Sequence, residues 1–91
     1  MEVKQILKER GDRYGKYNNV AWTSQKLKET MRDSYNWREM KLHWTQKESL
    51  DLICNKLARI LNGDSNYKDS WVDIAGYAQL VVDQLDKQTN F

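Results

Sequence analysis

The sequence predicts an all-α protein, a small helical bundle of about four helices that assembles into an oligomer. Three observations carry this expectation. Apolar residues recur at three- and four-residue spacing along most of the chain. No segment alternates with the period of two that a half-buried strand needs. Proline, the strongest interrupter of helices, occurs at none of the 91 positions. A chain of this length fits one domain, residues 1–91, because two halves would each be too short to bury a core.

The first helix is expected over residues 2–10, with Val3, Ile6 and Leu7 on one face. It stops at Gly11, a left-handed cap that follows the basic residues Lys8 and Arg10. The loop GDRYGKYNN comes next. A second helix over about 19–34 carries Val20, Leu27 and Met31. The stretch SYNWREMKLHW reads as irregular or one short turn, whose Tyr35, Trp37, Met40, Leu42 and Trp44 cap the core.

The third helix opens on Thr45-Gln-Lys-Glu48, a capping-box sequence in which hydroxyl and carboxylate satisfy orphan backbone donors. Leu50, Ile53, Cys54, Leu57, Ile60 and Leu61 form its apolar stripe, and Gly63 ends it. The fourth helix starts near Asp69 or Ser70 and runs to about Asp86. Its expected core face is Trp71, Ile74, Ala75, Ala78, Val81, Val82 and Leu85.

The reverse faces of the last two helices are only half polar. Asp69, Asp73, Gly76 and Leu80 fall together behind the fourth, with Tyr77 at the edge. Glu48, Leu52, Asn55, Arg59 and Asn62 line the back of the third. A helix apolar on two sides needs two partners, hence the expected homo-oligomer.

Composition narrows the function classes. The chain is 40% hydrophobic and 31% charged, and no apolar run is long enough to span a bilayer. The charged N-terminal stretch MEVKQILKER has no apolar signal region. Cys54 stands alone in an apolar helical pattern, as a buried reduced thiol would, which fits a cytoplasmic setting. Residues 1–47 hold eleven Lys/Arg and six Asp/Glu, whereas residues 48–91 hold four and seven. The net charge of +2 argues against a nucleic-acid binder. The asymmetry suits a specific anionic ligand or head-to-tail self-association, and equally chance.

Candidate site residues fall into three groups. Glu48-x-x-Asp51 and Asp69-x-x-x-Asp73 offer carboxylate oxygens of the kind magnesium takes. Both pairs open helices, where acids also complement the helix dipole. In an antiparallel hairpin they lie at opposite ends, so a metal site would have to be completed between subunits. Asp69 and Asp73 fall instead near Lys56 and Arg59. That grouping reads either as an Arg59–Asp73 ion pair joining two helices, or as a pocket in which Arg59 or Lys56 holds a phosphate while Asp69 or Asp73 positions a hydroxyl or Mg²⁺. The third group is the loop segment Arg10, Arg13, Tyr14 and Lys16, where cations meet phosphates and a tyrosine stacks on a base; it reads equally as a capped helix end with its tyrosines packed inward. Tyr77 is a second candidate platform. His43, the single histidine, has no patterned nucleophile beside it, and there is no P-loop or dinucleotide fingerprint.

Three segments taken together carry a resemblance: Glu9-Arg-x-x-Arg-Tyr-Gly15, Lys56-Leu-Ala-Arg-Ile60 with Leu-Asn-Gly63, and Asp69-Ser-Trp-Val-Asp-Ile-Ala-Gly-Tyr-Ala78. Over about residues 7–86 the chain resembles a small family of uncharacterised bacteriophage and prophage proteins. It is more distantly similar to the phage nucleotide-modification-associated domain and to the all-α MazG-like nucleoside triphosphate pyrophosphohydrolases. The resemblance implies helical chains that oligomerise and hold nucleotide phosphates through Mg²⁺. MazG-like enzymes carry Glu-x-x-Glu and Glu-x-x-Asp. Here only Glu48-x-x-Asp51 has a comparable spacing, which favours binding over hydrolysis.

The expectation is therefore a phage-derived, cytoplasmic protein that binds a phosphorylated nucleotide, such as a host immune signalling nucleotide, in a subunit-shared pocket. Two alternatives stand beside it. One is a Mg²⁺-dependent pyrophosphohydrolase using Glu48, Asp51, Asp69 and Asp73. The other is an inhibitor that binds a host defence protein.

Overall fold

The computed structural model describes residues 2–89, and all regular structure among them is helical. Five helices follow in order: α1 (Val3–Tyr14), α2 (Tyr17–Arg32), the single turn α3 (Tyr35–Arg38), α4 (Trp44–Asn62) and α5 (Lys68–Thr89). No helix of the described residues is long and apolar enough to cross a membrane.

The first boundary differs from the sequence expectation. α1 runs through Gly11 and stops four residues later at Gly15, which takes φ 90° while its N–H donates to the Gly11 carbonyl. Most of the expected loop GDRYGKYNN is therefore helix, split only at Gly15 and Lys16. Glycine inside a helix costs about 0.5–1 kcal/mol relative to alanine, too little to end one that its neighbours favour. The positive φ and the crowding at Gly15 set the stop.

The opening of α4 also moves. His43, not Thr45, is its N-cap: the Thr45 N–H donates to His43 Nδ1 at 3.2 Å, and the His43 N–H donates to Gln46 Oε1 at 2.9 Å. The reciprocal pattern is a capping box shifted two residues toward the N-terminus. Tyr35 and Met40 ahead of it, and Trp44 within it, are exposed rather than capping a core, with Met40 at φ 55°.

α4 is the middle of the molecule. Along one flank it meets α2: Asn62 Nδ2 donates to Thr23 Oγ1 at 2.9 Å, Cys54 Sγ lies 3.3 Å from Met31 Sδ, and Asp51 pairs with Arg32 at 3.2 Å. Along the other it meets α5, where Lys56 Nζ sits 2.9 Å from Asp73 Oδ2. Both neighbours run antiparallel to α4. At about 100° per residue, Ala58 and Lys56 point to opposite flanks, and α2 and α5 do not touch each other. The three long helices thus form one flat layer, α2–α4–α5, instead of a closed bundle.

The side chains at the crossings are small. Ser24 of α2, Ser49, Cys54 and Ala58 of α4, and Ser70 of α5 are buried, joined by Val20 and Ile60. Small residues let helices approach closely. They also leave little volume for a core, and no large side chain among the described residues is wholly buried.

α5 meets α4 through a different face from the one its sequence suggests. Ser70 is buried and Asp73, Ile74, Tyr77, Val81 and Gln84 are half-buried. Trp71, Ala75, Ala78, Val82 and Leu85, expected to face the core, are exposed. Ile74 and Val81 are the members of the expected face that do pack.

Candidate functional site

The C-termini of α1 and α4 converge on each other, backbone against backbone. A Cβ on Gly63 would stand 2.5 Å from the Arg13 carbonyl oxygen and overlap the Tyr14 backbone; one on Gly15 would lie 2.6 Å from the Asn62 carbonyl carbon. The Asp64 N–H donates to the Arg13 carbonyl at 2.8 Å, tying the chain beyond α4 to the end of α1. Two glycines make this approach sterically allowed, and one hydrogen bond fixes it.

Above that junction lies a ladder of rings and cations. Tyr14 and Tyr67 stack with parallel planes, their centroids 5.7 Å apart. The Arg59 guanidinium lies 4.4 Å from the Tyr14 centroid and that of Arg13 lies 5.4 Å from the Tyr67 centroid. Arg13 is in the last turn of α1 and Arg59 in the last turn of α4, where a cation complements the negative end of the helix dipole. Stacking occupies a guanidinium's face and leaves its N–H edge free to hydrogen-bond. Among the described residues neither arginine pairs with a carboxylate. Two fixed positive charges thus remain available to an anion.

Tyr67 was not foreseen as part of this group. Its hydroxyl donates to Asp69 Oδ2 at 3.0 Å, and that bond to the carboxylate is the main reason its ionisation is pushed upward. The signal in the sequence is slight: one aromatic residue in a turn, two positions before an acid.

The structure brings together Arg13, Tyr14 and Arg59 from the expected ligand set, and adds Tyr67. Arg10 and Lys16 are exposed on either side of the Arg13–Gly15 stop, at the same end of the molecule. Lys56, not Arg59, makes the ion pair with Asp73, which corrects the expected Arg59–Asp73 pair. The reason is axial: Lys56 stands level with Asp73 in the antiparallel pair, and Arg59, nearly one turn further on, reaches the end of α1 and lies over Tyr14. Tyr14 is engaged by Arg59 and Tyr67 within its own chain, so its ring is a built part of the ladder and not a bare platform.

Tyr77 lies elsewhere. It lines a groove of about 730 Å³ between α4 and α5, with Trp44, Glu48, Leu52, Leu80 and Lys87 among the walls. This is the half-polar reverse face of both helices. Leu80 is 63% exposed there, and a Cβ added at Gly76 would meet nothing within 4 Å.

The four acids considered for magnesium are dispersed. Glu48 is in that groove, Asp51 pairs with Arg32, Asp69 accepts from Tyr67, and Asp73 pairs with Lys56. Among the described residues no three of His, Cys, Asp and Glu gather closely enough to hold a metal ion. Cys54 is buried, and its thiol is pushed upward in pKa by burial first and by nearby Asp51 second. Comparison with protein-family models, curated proteins and solved structures finds no match to this chain.

Proposed function

We propose that the chain binds a phosphorylated nucleotide at the Arg13–Tyr14–Arg59–Tyr67 ladder. The observation that carries the reading is the pair of guanidiniums held against aromatic rings, neither in an ion pair among the described residues, with the Asp69 carboxylate bound to the Tyr67 hydroxyl beside them. Phosphate oxygens match the free edge of a guanidinium bidentately. Arg10 and Lys16 extend the positive surface around the stop of α1, and the tyrosine pair supplies aromatic surface beside it. A host immune signalling nucleotide is the ligand we propose, on the expectation from the sequence that the chain is phage-derived.

Binding without turnover fits this chain better than hydrolysis. A MazG-like reaction draws on acids gathered around Mg²⁺, and here each candidate acid has a separate environment. The test is a thermal-shift screen of linear, cyclic and ADP-ribose-type nucleotides, each with and without Mg²⁺. A ligand at a hundred times its dissociation constant adds about 2.7 kcal/mol, a rise of several degrees for a domain this small. Recovery of the intact nucleotide after incubation supports retention; released pyrophosphate or monophosphate supports the enzyme instead. If no nucleotide moves the midpoint, the reading fails.

A further inference from the structure

α5 carries two stripes at heptad spacing, and its own chain covers one. Ser70, Ile74, Tyr77, Val81 and Gln84 turn toward α4. Trp71, Ala75, Ala78 and Val82, continued by Leu85 and spaced four, three, four and three apart, do not, except that Leu85 borders a small cavity at the start of α4 with His43, Thr45 and Gln46. Trp71 is 53% exposed, Val82 47% and Leu85 43%, with both alanines open between them. Apolar residues alternating at three and four are the signature of a helix seam that packs against another helix.

The flat layer explains why the seam is uncovered. Domains ordinarily bury their apolar faces between two layers; the three long helices here supply one, with α1 packed only against its end. Since Leu52 and Leu80 share the groove on one side of the layer, the opposite side carries the α5 seam together with Leu50, Leu57 and Leu61 of α4. Leu61 is exposed as well.

Surface area gives the scale of what is missing. The chain exposes 7064 Å², whereas a compact monomer of its 10.9 kDa mass exposes roughly 5,600 Å². The excess of about 1,500 Å² per chain is spread over a molecule 50 Å long, and burying about half of it in each copy would reach the roughly 1,200–2,000 Å² of a specific interface. The radius of gyration agrees: 15.5 Å against about 12 Å for a compact domain of this length.

We infer that this face is closed by the same face of a second copy, so that the α5 seams of two chains pack across a two-fold axis and two single layers become one two-layer core. Three features suit a copy of itself. Ala75 and Ala78 stand at the middle of the seam, where a two-fold axis brings identical helices closest. The residues flanking the seam through its central turns are Val72 and Gln79 on one edge and Ile74 and Val81 on the other, so self-pairing opposes no like charges there. The Trp71 indole N–H already donates to the Ser65 carbonyl at 2.8 Å, so burying that ring leaves no donor unpaired.

This interface does not depend on the nucleotide reading, because the full chain without ligand tests it. Sedimentation equilibrium at micromolar concentration is expected to give twice the chain mass. Val82→Glu is expected to give monomers, and Leu80→Glu, on the opposite side of the layer, to leave the dimer intact. Should Val82→Glu lose its helical circular dichroism, Cys54→Ala/Ala78→Cys decides: it is expected to cross-link two chains on oxidation, and Cys54→Ala/Leu80→Cys not. A wild-type monomer, an oligomer indifferent to Val82→Glu, or absence of the Ala78→Cys cross-link would overturn the inference. A dimer that binds no nucleotide would sink the proposed function and leave this interface standing.

Discussion

Arg59 lays its guanidinium over the Tyr14 ring, 4.4 Å from the centroid, and so joins the end of α4 to the end of α1 through a cation and an aromatic face. The contact holds the cation in place while its N–H edge stays open. Arg59→Ala is expected to weaken nucleotide binding by roughly 10- to 150-fold, the loss of one or two charge-assisted hydrogen bonds of about 1.5–3 kcal/mol in all. Arg59→Lys keeps the charge but not the planar fork, and should recover only part of that loss. Isothermal titration with whichever nucleotide raises the melting temperature measures both. Equal affinity for wild type and Arg59→Ala would place the ligand elsewhere.

Gly63 and Gly11 should respond to alanine in opposite directions. A methyl group at Gly63 meets the Arg13 and Tyr14 backbone, which cannot swing aside as a side chain can. Overpacking of this kind costs about 1–3 kcal/mol. At Gly11 the same methyl meets nothing, and α1 gains about 0.5–1 kcal/mol of helix propensity. Each kcal/mol moves the midpoint by about 4–8 °C in a domain this size. Thermal melts of the two variants should therefore bracket the wild type.

His43→Ala removes the acceptor that receives the Thr45 N–H and should destabilise the fold by about 0.5–2 kcal/mol, whereas His43→Asn should restore most of it. Thr45→Ala, the substitution the sequence alone would choose, should cost less, since the Thr45 hydroxyl meets only the His43 ring nitrogen. Urea titrations of the three variants rank them.

Cys54 links stability to alkaline pH. Its thiol is held protonated in the fold by burial and by Asp51, so its pKa in the folded state lies above that in the unfolded state. The unfolded chain then loses its proton first as pH rises. The stability that depends on this is intact below about pH 8.5 and declines through the alkaline range above it. Denaturant midpoints between pH 7 and 10 should fall in wild type and fall less in Cys54→Ala. A thiol reagent should label Cys54 quickly only in denaturant.

Much of the fold was legible because helix periodicity is local. The central helix, its Gly63 stop, its buried Cys54 and the all-α class all follow from spacing alone. The phase of α5 is not, since its most apolar stripe is not its packed face. Periodicity reports which side of a helix avoids water, but not whether the covering surface belongs to the same chain. Gly11 and Gly15 were confused for a related reason. Both can end a helix, and only the tertiary approach of Asn62 distinguishes them. The site was half legible: Arg13, Tyr14 and Arg59 were named, while Tyr67 enters through loop geometry that no spacing rule encodes.

The flat layer also orders the chain in time. Only α4 has a long helix along each flank, so its interior amides are shielded until the whole molecule opens, and they should exchange with deuterium last. α1 touches the rest chiefly through its final turn, and its first turns should exchange earliest, by fraying that leaves the Gly15–Asn62 approach untouched. A slow centre with a quick arm gives this small protein two separate clocks.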